Sequence, residues 1–165
     1  MLRRSILSFC LPGACLFLAA CRGGEPLTGT VDGAFDGAAF APRFGVALDL
    51  APPDDTSGKL EVQVSDAPID CEHYLGAEQS AGPGLYSRVY LPDAEAGDYM
   101  ACPIEIGRVE KQDHLILLAK SIFSNAAGVT LKSVSAEEVE GTVTFTSTDP
   151  AAALNGSFTL MRCPR

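Results

Sequence analysis

From Val139 to Thr146 the chain alternates without a break: Val139, Gly141, Val143 and Phe145 on one side, Glu140, Thr142, Thr144 and Thr146 on the other. An extended strand points successive side chains to opposite faces, so a period-two run buries its apolar half only as a strand. The pattern recurs. Phe44, Val46, Leu48 and Leu50 alternate with Gly45, Ala47 and Asp49, and Leu60, Val62 and Val64 alternate with Glu61, Gln63 and Ser65. Between these two runs lies Pro52-Pro53-Asp54-Asp55-Thr56-Ser57-Gly58, a turn cluster, so the pair predicts a β-hairpin with one wet face. Further strands are expected at Gly29–Val31, Leu85–Leu91, Asp98–Ile106, Leu115–Ile122, Val129–Val134 and Ser157–Cys163, with breaks at Thr148-Asp149-Pro150 and at Asn155-Gly156. Leu115–Ala119 is apolar on both faces, which suits a central strand, although a short apolar run also fits a helix. Only Asp70–Gly76 invites a helical turn. The fold class that follows is all-β, an antiparallel sandwich or barrel of about eight or nine short strands. Strands alternating with long amphipathic helices are absent, which excludes a parallel α/β fold, and no repeat of fixed period is present.

The first twenty residues follow a different plan. Met1-Leu2-Arg3-Arg4-Ser5 is basic, and Ile6–Ala20 is uncharged and interrupted by Pro12 and Gly13. That run is shorter than the about 20 residues a membrane-crossing helix needs. A basic start, a short apolar middle and a small-residue end form a secretory signal peptide. Leu18-Ala19-Ala20-Cys21 resembles the lipobox of bacterial lipoproteins. The resemblance implies cleavage before Cys21 and acylation of that cysteine by several chains. One acyl chain binds a bilayer only marginally, with K of about 10⁴ M⁻¹, so stable anchoring takes more than one. Arg22 stands where, in enterobacterial members, an Asp retains the protein at the inner membrane, so the resemblance implies the outer membrane. The expected organisation is therefore residues 1–20 as signal, 21–27 as acylated Cys21 and a short tether, and 28–165 as one β domain. A six-residue tether spans at most about 20 Å.

Charge narrows the partners. All 21 acidic residues lie after residue 20, with ten of the 12 basic ones, which leaves the mature chain near −11. Nucleic acids and anionic lipid surfaces select basic proteins, so neither is expected as a partner, and attachment to membrane falls to the lipid.

Cys10 and Cys15 leave with the signal and Cys21 is taken by acylation, so Cys71, Cys102 and Cys163 remain in an oxidising compartment. Three thiols allow one bridge and one leftover. Cys71–Cys163 is the pairing expected, because Cys163 lies two residues from the C-terminus, where a covalent tie opposes fraying. Cys71–Cys102 is the rival.

The mature part also resembles small, uncharacterised all-β lipoprotein families. The residues that carry this are Gly29-Thr30-Val31-Asp32-Gly33 with Phe40, Gly128-Val129-Thr130-Leu131, Val139–Phe145, and Asn155-Gly156-Ser157-Phe158. Such families open on a V-x-G-x-x-F strand and close on a G-S-F strand. The resemblance implies an all-β fold and no chemistry, and members with one mid-chain and one terminal cysteine agree with Cys71–Cys163.

Residue patterns that carry chemistry are sparse. Asp70-Cys71-Glu72-His73 gathers possible metal ligands, with Asp113-His114 distant, but no second ligand pair stands at zinc-type spacing, and a disulfide cysteine beside a solvated histidine explains the cluster. Gly-x-Ser-x-Gly is absent, and neither histidine lies in a nucleophile motif. Asp54-Asp55 and Glu137-Glu138 are acidic pairs that a chain with 21 acids contains by chance. Asp54–Gly58 lacks calcium-loop spacing, and Gly82-Pro83-Gly84 lacks the lysine of a phosphate cradle. Asn155-Gly156-Ser157 reads as a hairpin turn. Tyr86, Arg88 and Tyr90 share one face of an expected strand and form the candidate recognition surface, since Tyr and Arg are enriched at binding hot spots. The alternative is a strand half covered by a loop.

The expectation for function is a lipid-anchored envelope protein that is not an enzyme and uses no metal or cofactor, a binding or structural module with a protein or glycan partner. The alternative is a small-ligand carrier with a lipocalin-like cavity. A filled interior counts against the alternative.

Overall fold

A computed structural model describes residues 24–50, 59–75, 82–112, 115–148 and 151–164, without the side chains of residues 112 and 115–118. Among the described residues there is no helix. Nine strands form: β1 (Thr28–Phe35), β2 (Ala38–Phe40), β3 (Phe44–Asp49), β4 (Leu60–Ser65), β5 (Gly84–Leu91), β6 (Gly97–Gln112), β7 (Leu115–Val134), β8 (Glu138–Thr148) and β9 (Ala151–Cys163). Their order is β2-β1-β9-β3-β4-β5-β6-β7-β8, and β8 also pairs with β9. The strands from β3 to β9 thus close into a seven-stranded barrel, and β1 and β2 extend the wall from β9. All pairings are antiparallel except one. The ring closes where β3 runs parallel to β9, with Val46 opposite Met161, Ala47 opposite Arg162 and Leu48 opposite Cys163.

Except in β3, which turns Ala47 inward and Val46 and Leu48 outward, the alternation read from the sequence is the inside-outside code of this barrel. Val62, Val64, Leu85, Val89, Ile104, Ile106, Val129, Leu131, Val143, Phe145, Leu154 and Phe158 fill the interior with Val31, Phe35 and Phe40 from the two extra strands. The cavity that Val62, Val64, Ser87, Val89 and Phe158 help to line holds only about 10 Å³. That is barely one water probe.

Four expectations are corrected. First, Asn155-Gly156 is not a turn. It lies inside β9, with Gly156 between Val31 of β1 and Val143 of β8. Its φ is 144°, and a Cβ there would meet the Thr30 carbonyl oxygen at 1.8 Å, so glycine is required by the close approach of β1. Thr148 faces Ala151, so the chain reverses earlier. Second, the runs at Leu115–Ile122 and Val129–Val134 are one 20-residue strand. The polar interruption at Asn125-Ala126 is absorbed as a bulge opposite Pro103, where the missing proline N–H costs no ladder bond. Third, Leu115–Ala119 is not central, because β8 pairs only with Gly128–Val134, and the first half of β7 is bonded to β6 alone. Fourth, the β3–β4 hairpin has no wet face along β4. All six β4 residues are buried: the segment after it folds back onto Gln63 and Ser65, and Arg88 and Gln63 close over Glu61.

That segment, Asp66–Leu75, acts as a strap. Ile69 packs with Val46, Leu48 and Cys163 in a second, outer core, flanked by Phe44, Tyr74 and Leu75. The side chain of Gln63 accepts from Leu75 N–H at 3.0 Å and donates to the Leu75 carbonyl at 2.9 Å. Asp70–Leu75 consists of bends and a turn rather than a helical turn. Asp70 Oδ1 accepts from the N–H groups of Glu72 and His73 and lies 3.0 Å from His73 Nδ1.

Of the residues read as tether, Glu25–Leu27 are bonded into the body. Glu25 N–H donates to the Ile69 carbonyl, Gly45 N–H to the Glu25 carbonyl and Leu27 N–H to the Arg43 carbonyl, and Pro26 bridges Phe44. The turn cluster 52–58, residue 76 and the Asp149-Pro150 break lie outside the described residues.

Candidate functional site

The outer wall of β4–β7 carries the densest chemistry. Strand register sets Gln63, Arg88, Glu105 and Phe123 side by side across four strands, and Ser65, Tyr86, Gly107 and Ser121 in the adjoining row. Tyr90 pairs Glu61 on the other flank. All these positions point outward, yet Glu61, Gln63, Tyr86 and Glu105 are buried. Charge buried this deeply must be paired. Arg88 donates Nε to Glu105 Oε2 at 2.7 Å, with Nη2 at the same distance, and its Nη1 lies 3.8 Å from Glu61 Oε1. Tyr86 donates its hydroxyl to Glu105 Oε1 at 3.1 Å, and Gln63 donates to Glu61 Oε1 at 2.7 Å. The Arg88 guanidinium lies 5.7 Å from the centre of the Tyr90 ring, a cation–π distance.

The electrostatics follow. Burial weighs against the Arg88 charge, but the Glu105 hydrogen bond, Tyr90 and the two carboxylates outweigh it and push its pKa upward. Burial and then the Glu105 charge push the Tyr86 phenol far above its ordinary value, so it remains a hydrogen-bond donor.

Tyr86, Arg88 and Tyr90 share the outward side of β5, but their surroundings differ. Tyr86 is a buried strut, and Arg88 is mostly consumed by Glu105. Tyr90 is partly exposed beside it. The sequence reading missed Phe123, which is 64% exposed and next to Glu105 on β7, and Met100, which is 81% exposed on a bulge where Ala101 takes a positive φ of 57°. The alternation Ile122 in, Phe123 out was visible in the sequence. The burial of Glu61 and Glu105 was not, because it comes with the Gln63, Arg88 and Tyr86 partners that the register of β4, β5 and β6 brings against them.

A groove of about 470 Å³ opens at the pole where the chain enters the barrel, bordered by Glu25, Pro26, Glu137, Glu138, Met161 and Arg162. Arg162 is committed: Nε and Nη2 each lie 2.9 Å from Asp49 Oδ1, and Nη1 donates to the Ser135 carbonyl at 2.7 Å. The Glu137–Glu138 pair is exposed on this rim.

Cys71 and Cys163 are joined as a disulfide with Cα atoms 5.4 Å apart, and Cys102 is a free, buried thiol inside the barrel. Burial pushes the Cys102 pKa upward. Among the described residues no group of three His, Cys, Asp or Glu side chains is placed to hold a metal ion. His73 faces Asp70 instead. Cys21, Asp54–Gly58 and Asp113-His114 lie outside the described residues.

No known protein family, curated protein or solved structure matches this chain.

Proposed function

We propose that this is a lipid-anchored envelope protein, acylated at Cys21, whose barrel is a non-enzymatic binding or structural module of the outer membrane. The observation that carries the reading is the bonding of the chain to the body from Glu25 onward. Only about 10 Å of extended chain separates Cys21 from Gly24. Anchored there, the pole bearing Glu25, Glu137 and Glu138 faces the leaflet, and the wall with Phe123, Tyr90 and Arg88 faces sideways toward an envelope protein or glycan. The filled interior supports this reading over the ligand carrier, since a cavity of about 10 Å³ cannot seat a carried molecule.

Two measurements test it. Intact-mass spectrometry of the membrane-extracted protein should find residue 21 carrying acyl chains, and Cys21→Ala should release the protein from membranes. An unmodified, soluble protein overturns the anchor. A photo-crosslinking residue at Phe123 should give a discrete adduct in intact cells that is absent when the same group replaces exposed Thr148. Equal labelling from both positions refutes the recognition wall.

A further inference from the structure

We propose that the Cys71–Cys163 disulfide is a redox latch on the closing seam of the barrel. The ring is shut by the shortest of its pairings, three residues of parallel ladder between Val46–Leu48 of β3 and Met161–Cys163 at the end of the chain. Neighbouring pairings are far longer. Strand β9 faces β8 from Ala151 to Met161 and β1 from Ala152 to Thr159. The seam is also where two pieces prone to fray meet, the C-terminus and the strap Asp66–Leu75. Each covers the other: Ile69 of the strap and Cys163 of β9 seal Val46 and Leu48 from outside. The disulfide joins those two covers directly, strap to terminus, and among the described residues no other disulfide crosses the seam.

The bond is open to attack from one side. Cys71 is exposed while Cys163 is 2% exposed, so a thiolate reaches the Cys71 sulfur. Met161 Sδ lies 3.9 Å from it. A dithiol reductant supplies the electrons. Its first thiolate attacks Cys71 Sγ, and Cys163 leaves as thiolate and takes a proton. The second thiol then displaces Cys71 as a thiol, and the reductant ends as a disulfide. Reduced, the strap keeps the Gln63–Leu75 bonds, the Glu25–Ile69 backbone bond and the packing of Ile69, and the terminus keeps the Arg162–Asp49 pair, the Arg162 bonds to the Ser135 and Glu137 carbonyls and the three-residue ladder, with no covalent tie between the two. Opening there unpairs β3 from β9 and leaves a free β3 edge lined by Val46 and Leu48, a template for another strand. This holds whether or not the protein is lipid-anchored.

Hydrogen exchange on the full mature protein, oxidised and after treatment with dithiothreitol, tests the latch. Amides of Val46–Leu48, Ile69–Leu75 and Met161–Cys163 should exchange at least about a hundredfold faster when reduced, while those of Leu85–Leu91 change less than about threefold. Cys71→Ser should reproduce the reduced pattern without reductant. Unchanged seam exchange in both the reduced protein and the variant overturns the proposal. So does equal acceleration across every strand, which would make the bond a general staple.

Discussion

Replacing Arg88 by methionine keeps most of the side-chain volume but removes the only cation within reach of Glu105 among the described contacts. Stripping the partner from a fully buried pair costs about 3–5 kcal/mol, because the remaining charge has neither water nor counter-ion. Arg88 is 27% exposed and Glu105 12%, so water screens part of that cost. The expected loss is about 2–3 kcal/mol. Tyr86 still donates to Glu105, which keeps the loss from being larger. The double variant Arg88→Met/Glu105→Gln removes the stranded charge and should recover about 1.5 kcal/mol of that loss, a coupling typical of residues in direct contact. Urea unfolding followed by far-UV circular dichroism measures both, and the chain has no tryptophan to serve as a fluorescent probe. The m-value should be unchanged. A single-variant loss below about 0.5 kcal/mol, or strictly additive losses, would refute the view that the outer wall is held by a buried charge network.

Two further outcomes follow from the geometry. The Ser87 hydroxyl is buried in the barrel with no hydrogen-bond partner among the described residues, so Ser87→Ala should raise stability by about 1 kcal/mol in the same assay. Desolvation alone would raise the Asp70 pKa, but the N–H groups of Glu72 and His73 and the His73 side chain bring it below the ordinary 3.8. A carboxylate lowered in the folded state adds stability that is present above the unfolded value and lost as pH falls through the folded one. Unfolding midpoints should therefore drop below about pH 4 in the natural protein, and Asp70→Asn should flatten that acid limb; parallel pH profiles would exclude this role.

Much of the barrel was legible because it depends on local alternation. The β4 and β8 runs announce their inward faces residue by residue, whereas β3 turns its larger apolar residues, Val46 and Leu48, outward beneath the strap and Ala47 inward. The Asp36-Gly37 hairpin was legible too and went unread: both residues have positive φ, 51° and 79°, and join β1 to β2 in the two-residue turn that Asp-Gly favours. What escaped depends on distant chain. Gly156 imitates a turn signal, but the demand on it comes from Thr30, far away in sequence. Gln63 looks like the wet half of a hairpin until Leu75 of the strap bonds its side chain, and Glu61 until Gln63 and Arg88 pair with it. Phe123 gains its place beside Arg88 and Glu105 only once three strands align, and no local pattern carries that register.

The bulges of β7 have a further consequence. Its side away from β6 has no strand partner before Gly128 among the described residues, an exposure of the kind that lets copies stack into insoluble ribbons. The register slips near Ala119 and again at Asn125-Ala126 cut this side into short straight runs, Leu115–Leu118 and Lys120–Ser124. A neighbouring molecule that docked there would run out of matching backbone within five residues, and the kinks that shape the barrel wall also keep crowded copies from knitting together.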